Sequence, residues 1–119
     1  ENRKLPSTIG EGGLSKIESM ACFIARNYEN PITVDDISAE VDLHPNYAMM
    51  LFKKGFGTTL NDYLTYHRIA HAQRLLVSTA EKIIEIAFQS GFGSISQFNT
   101  TFKKRCGLSP RQYREIHKI

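Results

Sequence analysis

The sequence is short of the parts from which enzymes, membrane proteins and disulfide-stapled secreted proteins are made. Its two cysteines, Cys22 and Cys106, lie far apart in the chain. Two isolated thiols form neither a disulfide framework nor a metal knuckle, and they fit a reducing compartment. No apolar run approaches the ~18 residues that would suggest a bilayer span, and the first residues carry no signal-peptide pattern. A cytoplasmic chain with no membrane partner is expected. There is also no glycine-rich phosphate loop, no nucleophile elbow and no pair of carboxylates with an evident partner, so neither an enzyme nor a cofactor is expected. His67 and His71 stand four residues apart, a spacing that can place two imidazoles on one metal. No third ligand accompanies them, which favours ordinary helix positions over a metal site.

With 119 residues, 41% of them hydrophobic, the chain can fill one ordinary core or two very small ones. The formal net charge of +3 says little by itself, but the sign is unevenly spread. Residues 1–67 hold 6 Lys/Arg against 9 Asp/Glu, whereas residues 68–119 hold 9 against 3. A basic second half is the electrostatic footprint of a polyanion binder. The same charges also serve as an ordinary solubilising surface.

Residues 1–13, ENRKLPSTIGEGG, read as linker, and the absence of an initiator Met suggests a part cut from a longer protein with the missing portion upstream. Ser15 with Glu18 makes a capping box for a first helix to about Tyr28, with Leu14, Ile17, Ala21, Ile24 and Tyr28 facing inward. Asn30-Pro31 stops it. Thr33 caps a second helix from Val34 to Val41, and His44-Pro45 opens a third whose apolar face is Ala48, Leu51 and Phe52. After Gly57, Thr59 caps a long helix to Val77 that buries Leu60, Tyr63, Leu64, Ala72, Leu75 and Leu76. Thr79 starts a short helix carrying Ile83, Ile86 and Ala87. The stretch Gly91–Tyr113 then joins a Gly-Phe turn, a Ser94-capped helix with Phe98 and Phe102 one turn apart, a basic tail, and a final helix opened by Ser109-Pro110. That order of parts writes a helix-turn-helix.

The same unit occurs twice. Ile37 and Leu43 pair with Ile86 and Phe92; past the extra Gly93, the caps His44 and Ser94 align. Beyond them Phe52-Lys53-Lys54 pairs with Phe102-Lys103-Lys104, Gly57 with Gly107, Thr59 with Ser109, and Tyr63 with Tyr113. So many pairings in the same order mark an internal repeat. The expected architecture is all-α: a first helix-turn-helix subdomain at residues 14–57, a linker helix at 58–78 and a second subdomain at 79–119.

Residues 14–118 resemble the DNA-binding domain of AraC/XylS-type bacterial transcription regulators. The likeness rests on Ala72 with Leu75-Leu76, Ile86-Ala87, Gly91-Phe92, Phe98, Phe102-Lys103-Lys104, Gly107 with Pro110, and Tyr113-Arg114. The resemblance implies seven helices, with two recognition helices in successive major-groove segments of double-stranded DNA. It further implies contact with RNA polymerase and an upstream effector or dimerisation domain.

Base-facing positions carried over from the family are Asn46, Met49 and Met50 in the first unit and Ile95, Ser96 and Thr100 in the second, with Gln97 and Asn99 beside them. Many members place arginine where Met50 and Thr100 stand, so the resemblance does not carry the usual guanine contact over to these positions. Asn can read adenine, Ser several bases, and Met, Ile and the Thr methyl can pack on thymine methyl groups. Met49 and Ile95 have partial core packing as their alternative role. Lys53, Lys54, Lys103, Lys104 and Arg105, at the ends of the two recognition helices, are expected on phosphates. Their alternative is a cationic helix end favoured by the helix dipole. A protein-docking helical domain, with Met49, Met50 and Ile95 as its surface, is the rival reading.

Overall fold

The computed structural model describes residues 11–118, for Glu11 the backbone alone, so most of the expected linker lies outside the described residues. Seven helices and no strand occur among them: α1 Glu11–Asn27, α2 Val34–Glu40, α3 Pro45–Phe56, α4 Leu60–Ser78, α5 Ile83–Gln89, α6 Ile95–Cys106 and α7 Pro110–His117. By compactness the chain divides into two units. One comprises α1, α2, α3 and the start of α4 to Leu64; the other comprises Tyr28–Pro31 and everything from Thr65 onward. The division falls within α4, between Leu64 and Thr65.

Short polar side chains close most helix starts. Thr33 and Asp36 form a capping box, with the Thr33 amide donating to Asp36 Oδ2 at 2.9 Å and the Asp36 amide to Thr33 Oγ1 at 3.2 Å. Ser109 and Gln112 do the same at α7. His44 Nδ1 accepts from the Asn46 amide at α3, Thr59 Oγ1 from the Asp62 amide at α4, and Ser94 Oγ from the Gln97 amide at α6.

Two expected starts move. α1 begins at Glu11 and runs through Gly12-Gly13, so Ser15 sits inside the helix and not at its cap. The apolar face continues back to the half-buried Leu14, and burial overrides the poor helix propensity of glycine. α5 begins at Ile83 and not at Thr79. The Thr79 hydroxyl turns back to the Leu75 carbonyl at 2.7 Å and accepts from the Glu81 amide, which ends α4 and leaves Lys82 as a cap without a side-chain bond.

In the first unit Ile17, Met20 and Ile24 of α1 are buried, as are Ile37 and Val41 of α2, Ala48, Leu51 and Phe52 of α3, and Leu60 and Leu64 of α4. Met20 joins Ile17 and Ile24 on the face where Ala21 is only partly buried. In the second unit Ile69, Ala72 and Leu76 pack with Ile86, Ala87, Phe92, Phe98 and Phe102. Phe92, Phe98 and Phe102 form a chain of ring contacts 5.1 and 5.5 Å apart that continues to Tyr113.

Two arginines tie chain ends down within the second unit. Arg68 Nε donates to the Tyr28 carbonyl at 2.7 Å and its Nη2 to the Asn30 carbonyl at 2.8 Å. Arg114 donates from Nε to the Leu76 carbonyl and from Nη2 to the Thr79 carbonyl. The Leu76 carbonyl belongs to the last turn of α4, which lacks helical partners, and the other three lie in the chain just past the ends of α1 and α4.

Candidate nucleic-acid interface

The two helix-turn-helix units repeat each other in side-chain detail. Phe52 meets Tyr63 at 5.7 Å, and Phe102 meets Tyr113 at 5.4 Å. Gly57 and Gly107 end α3 and α6 in the left-handed region, at φ 92° and 78°, and their amides donate to the carbonyls of Lys53 and Lys103. The turns before α3 and α6 each carry one left-handed residue, Asp42 at φ 55° and Gly91 at φ 104°. Pro45 and Ile95, the first residues of α3 and α6, are both half-buried.

With Ala48, Leu51 and Phe52 buried, α3 presents Asn46, Tyr47, Met49 and Met50 outward, followed by Lys53 and Lys54 in its last turn. Tyr47, 49% exposed, is an addition that the structure makes to the candidate readers. The repeat signals it, because Tyr47 occupies the place that Gln97 holds in the second unit. On α6, Phe98 and Phe102 face the core while Ser96, Gln97, Asn99 and Thr100 face solvent, and Lys103, Lys104 and Arg105 fill the last turn.

Two positions differ in character from the rest. Ile95 packs its side chain against the core cluster of the second unit and is only half-exposed, so core packing claims part of its surface. The Gln97 carbonyl oxygen accepts from the Gly93 amide at 3.0 Å. That bond takes one of the two lone pairs of the side-chain oxygen and holds the Gln97 amide back toward Gly93.

Asn46 keeps an exposed side chain, and its amide N–H is already used by the His44 cap. Asn46→Ala should relax discrimination at a single base pair by about 1–3 kcal/mol while the fold stays intact. Competition binding with duplexes varied one base pair at a time measures this, and unchanged discrimination everywhere would remove Asn46 from the readers.

The histidine pair serves packing. Tyr28 stacks on His67 at 5.5 Å and shares a 2.7 Å hydrogen bond through its hydroxyl with His71 Nδ1. Burial, helped by the charge of Arg74, pushes the His67 imidazole below its ordinary pKa. Among the described residues no group of three or more His, Cys, Asp or Glu is gathered for a metal. Both cysteines are free thiols; burial pushes the Cys106 thiol up, away from the reactive thiolate. No described helix is long and apolar enough to cross a membrane.

A family model described as a helix-turn-helix domain matches residues 37–116. The melibiose operon regulatory protein of Escherichia coli K12 is 41% identical over 100 residues, a match covering 84% of this chain and 33% of that protein. The chain spans about a third of the length of the curated relatives it matches. Among solved structures, the C-terminal domain of AraT, a response regulator from Geobacillus stearothermophilus, superposes with a TM-score of 0.84 at 30% identity, covering 87% of each chain. A transcriptional regulator from Chromobacterium violaceum with an AraC-type DNA-binding domain gives 0.78 at 28% identity, covering 91% of this chain and 96% of that one.

Two helix-turn-helix units built to one plan and sharing α4 define a tandem helix-turn-helix DNA-binding domain. The chain belongs to the helix-turn-helix family, and within it to the AraC/XylS-type DNA-binding domains.

Proposed function

We propose that this chain binds double-stranded DNA sequence-specifically as the C-terminal domain of a bacterial transcription regulator, with α3 and α6 each entering a major-groove segment. The observation that carries the reading is the duplicated reader. Twice, a helix capped at its start and closed by a left-handed glycine buries two large apolar side chains, exposes a reading face, and ends in an exposed basic turn. A single small unit gains limited affinity, whereas two joined through one continuous helix of 19 residues act at high effective concentration.

In this reading Asn46, Met49, Met50, Ser96, Asn99 and Thr100 face bases, Ile95 and Gln97 contribute partially, and Lys53, Lys54, Lys103, Lys104 and Arg105 hold phosphates. The remaining two thirds of a protein of its relatives' length would carry effector binding or dimerisation, and RNA polymerase is the further partner of such a regulator. The chain would work in the cytoplasm and perform no catalysis.

Titration with duplex DNA at several salt concentrations tests this. Affinity should fall steeply with salt, log K dropping by about 0.9 per phosphate contact for each tenfold rise. Negligible affinity at low salt would instead favour a protein-docking role for the exposed Tyr47, Met49 and Met50.

A further inference from the structure

We infer that the two readers work by different chemistry: α3 selects thymine methyl groups through Met49 and Met50, with Tyr47 beside them, whereas α6 selects by hydrogen bonds from Ser96, Asn99 and Thr100. The inference rests on the DNA-binding reading above and adds an asymmetry to it.

The repeat supplies an internal control. Both α3 and α6 have a side-chain cap at the start, a buried phenylalanine, a closing glycine and a basic last turn, so the differences between their exposed side chains are not demanded by the fold. Some differences are inward, with Ala48 and Leu51 answered by Phe98 and Thr101, and the others that matter here lie on the outer faces. Tyr47, Met49 and Met50 stand opposite Gln97, Asn99 and Thr100. The first three are exposed by 49%, 39% and 51%, a cluster of large apolar side chains that the first unit leaves in solvent. Their counterparts are exposed and polar. Ile95, the large apolar residue at the start of α6, is drawn onto the core.

A thioether is polarizable and adaptable, and it offers no strong donor or acceptor. The one apolar group that B-DNA displays in the major groove is the thymine 5-methyl. A methionine set against guanine O6 or cytosine N4 would strip water from a polar group without replacing its hydrogen bond, which costs affinity. Met49 and Met50 therefore select thymine both by attraction and by excluding the alternatives. On α6 the Thr100 methyl is one apolar atom group among hydroxyls and an amide, so hydrogen bonding dominates there.

The test uses the whole 119-residue chain. Duplexes are enriched from a random-sequence pool, and the bound half-sites are mapped by footprinting. The enriched duplex is then remade with deoxyuridine for thymidine, which removes the methyl and keeps the pairing, in one half-site at a time. Binding should weaken about fourfold for each contacted methyl removed, and in one half-site only. The Met49→Ala/Met50→Ala variant should bind both duplexes equally, whereas Asn99→Ala should keep the difference. All three are exposed helix positions, and circular dichroism verifies that the variants retain their helices. Equal losses in the two half-sites, no loss in either, or a loss that persists in the methionine variant would overturn the inference while leaving DNA binding in place. Failure to enrich any duplex would overturn the DNA reading and this inference with it.

Discussion

Gly91→Ala should lower the stability of the second unit by about 3 kcal/mol, which combines a left-handed backbone with overpacking. Gly91 has φ +104°, a region L side chains rarely adopt. A Cβ there would lie 2.3 Å from the Tyr28 carbonyl oxygen, 2.7 Å from Arg68 Nε and 3.2 Å from the Glu29 Cα. Two of those three are backbone atoms that no rotamer change can move. The third belongs to the guanidinium that already donates to the same Tyr28 carbonyl, so relieving the clash breaks a charge-assisted hydrogen bond. Gly107→Ala separates the two contributions. Its φ of +78° is also left-handed, yet no atom lies within 4 Å of an added Cβ. That variant should lose only about 1 kcal/mol, the backbone cost alone. Thermal melts followed by circular dichroism should place Gly91→Ala more than ~10 °C below Gly107→Ala. Equal melting of the two variants would show that the approach of Gly91 to Tyr28 and Arg68 contributes nothing.

The second large effect is on DNA affinity. Lys103→Ala, Lys104→Ala and Arg105→Ala together should weaken binding by about two orders of magnitude at ~0.15 M salt if all three side chains displace counterions from phosphates. The plot of log K against log salt should flatten by about 2.7 in slope, and the Lys53→Ala/Lys54→Ala pair should flatten it by about 1.8. A flattened slope separates phosphate contact from the alternative role of these residues as cations at a helix C-terminus. Loss of that role removes only about 0.3–1 kcal/mol of stability per residue and leaves the salt dependence alone. An unchanged slope in a folded triple variant would take the last turn of α6 off the phosphate backbone.

Much of this was legible in residue order. Ala48, Leu51 and Phe52 alternate with outward polar and Met positions at helical spacing, so the buried and exposed faces of α3 separate without coordinates. Helix starts were legible where a cap stood directly before the first turn, as at Thr33, His44, Ser94 and Ser109. They misled where a capping residue had another use. Ser15 was absorbed into a longer α1, and the Thr79 hydroxyl bonded backwards to Leu75. Met20 shows the same limit within a helix, because Ala21 satisfies the apolar spacing equally well and only packing selects between them.

The sequence by itself determined the all-helical class, the duplication, and the placing of Lys and Arg in the last turns of α3 and α6. All of these follow from local periodicity, caps and an offset between matching residues, which the order of residues already contains. Tertiary structure alone decided how side chains were spent: Arg68 and Arg114 on backbone carbonyls, the Gln97 oxygen on the Gly93 amide, Ile95 on the core, and Gly91 on a close approach to Tyr28. The physical reason is that a polar or apolar group can be used in several ways. Which use wins depends on neighbours brought together from distant parts of the chain.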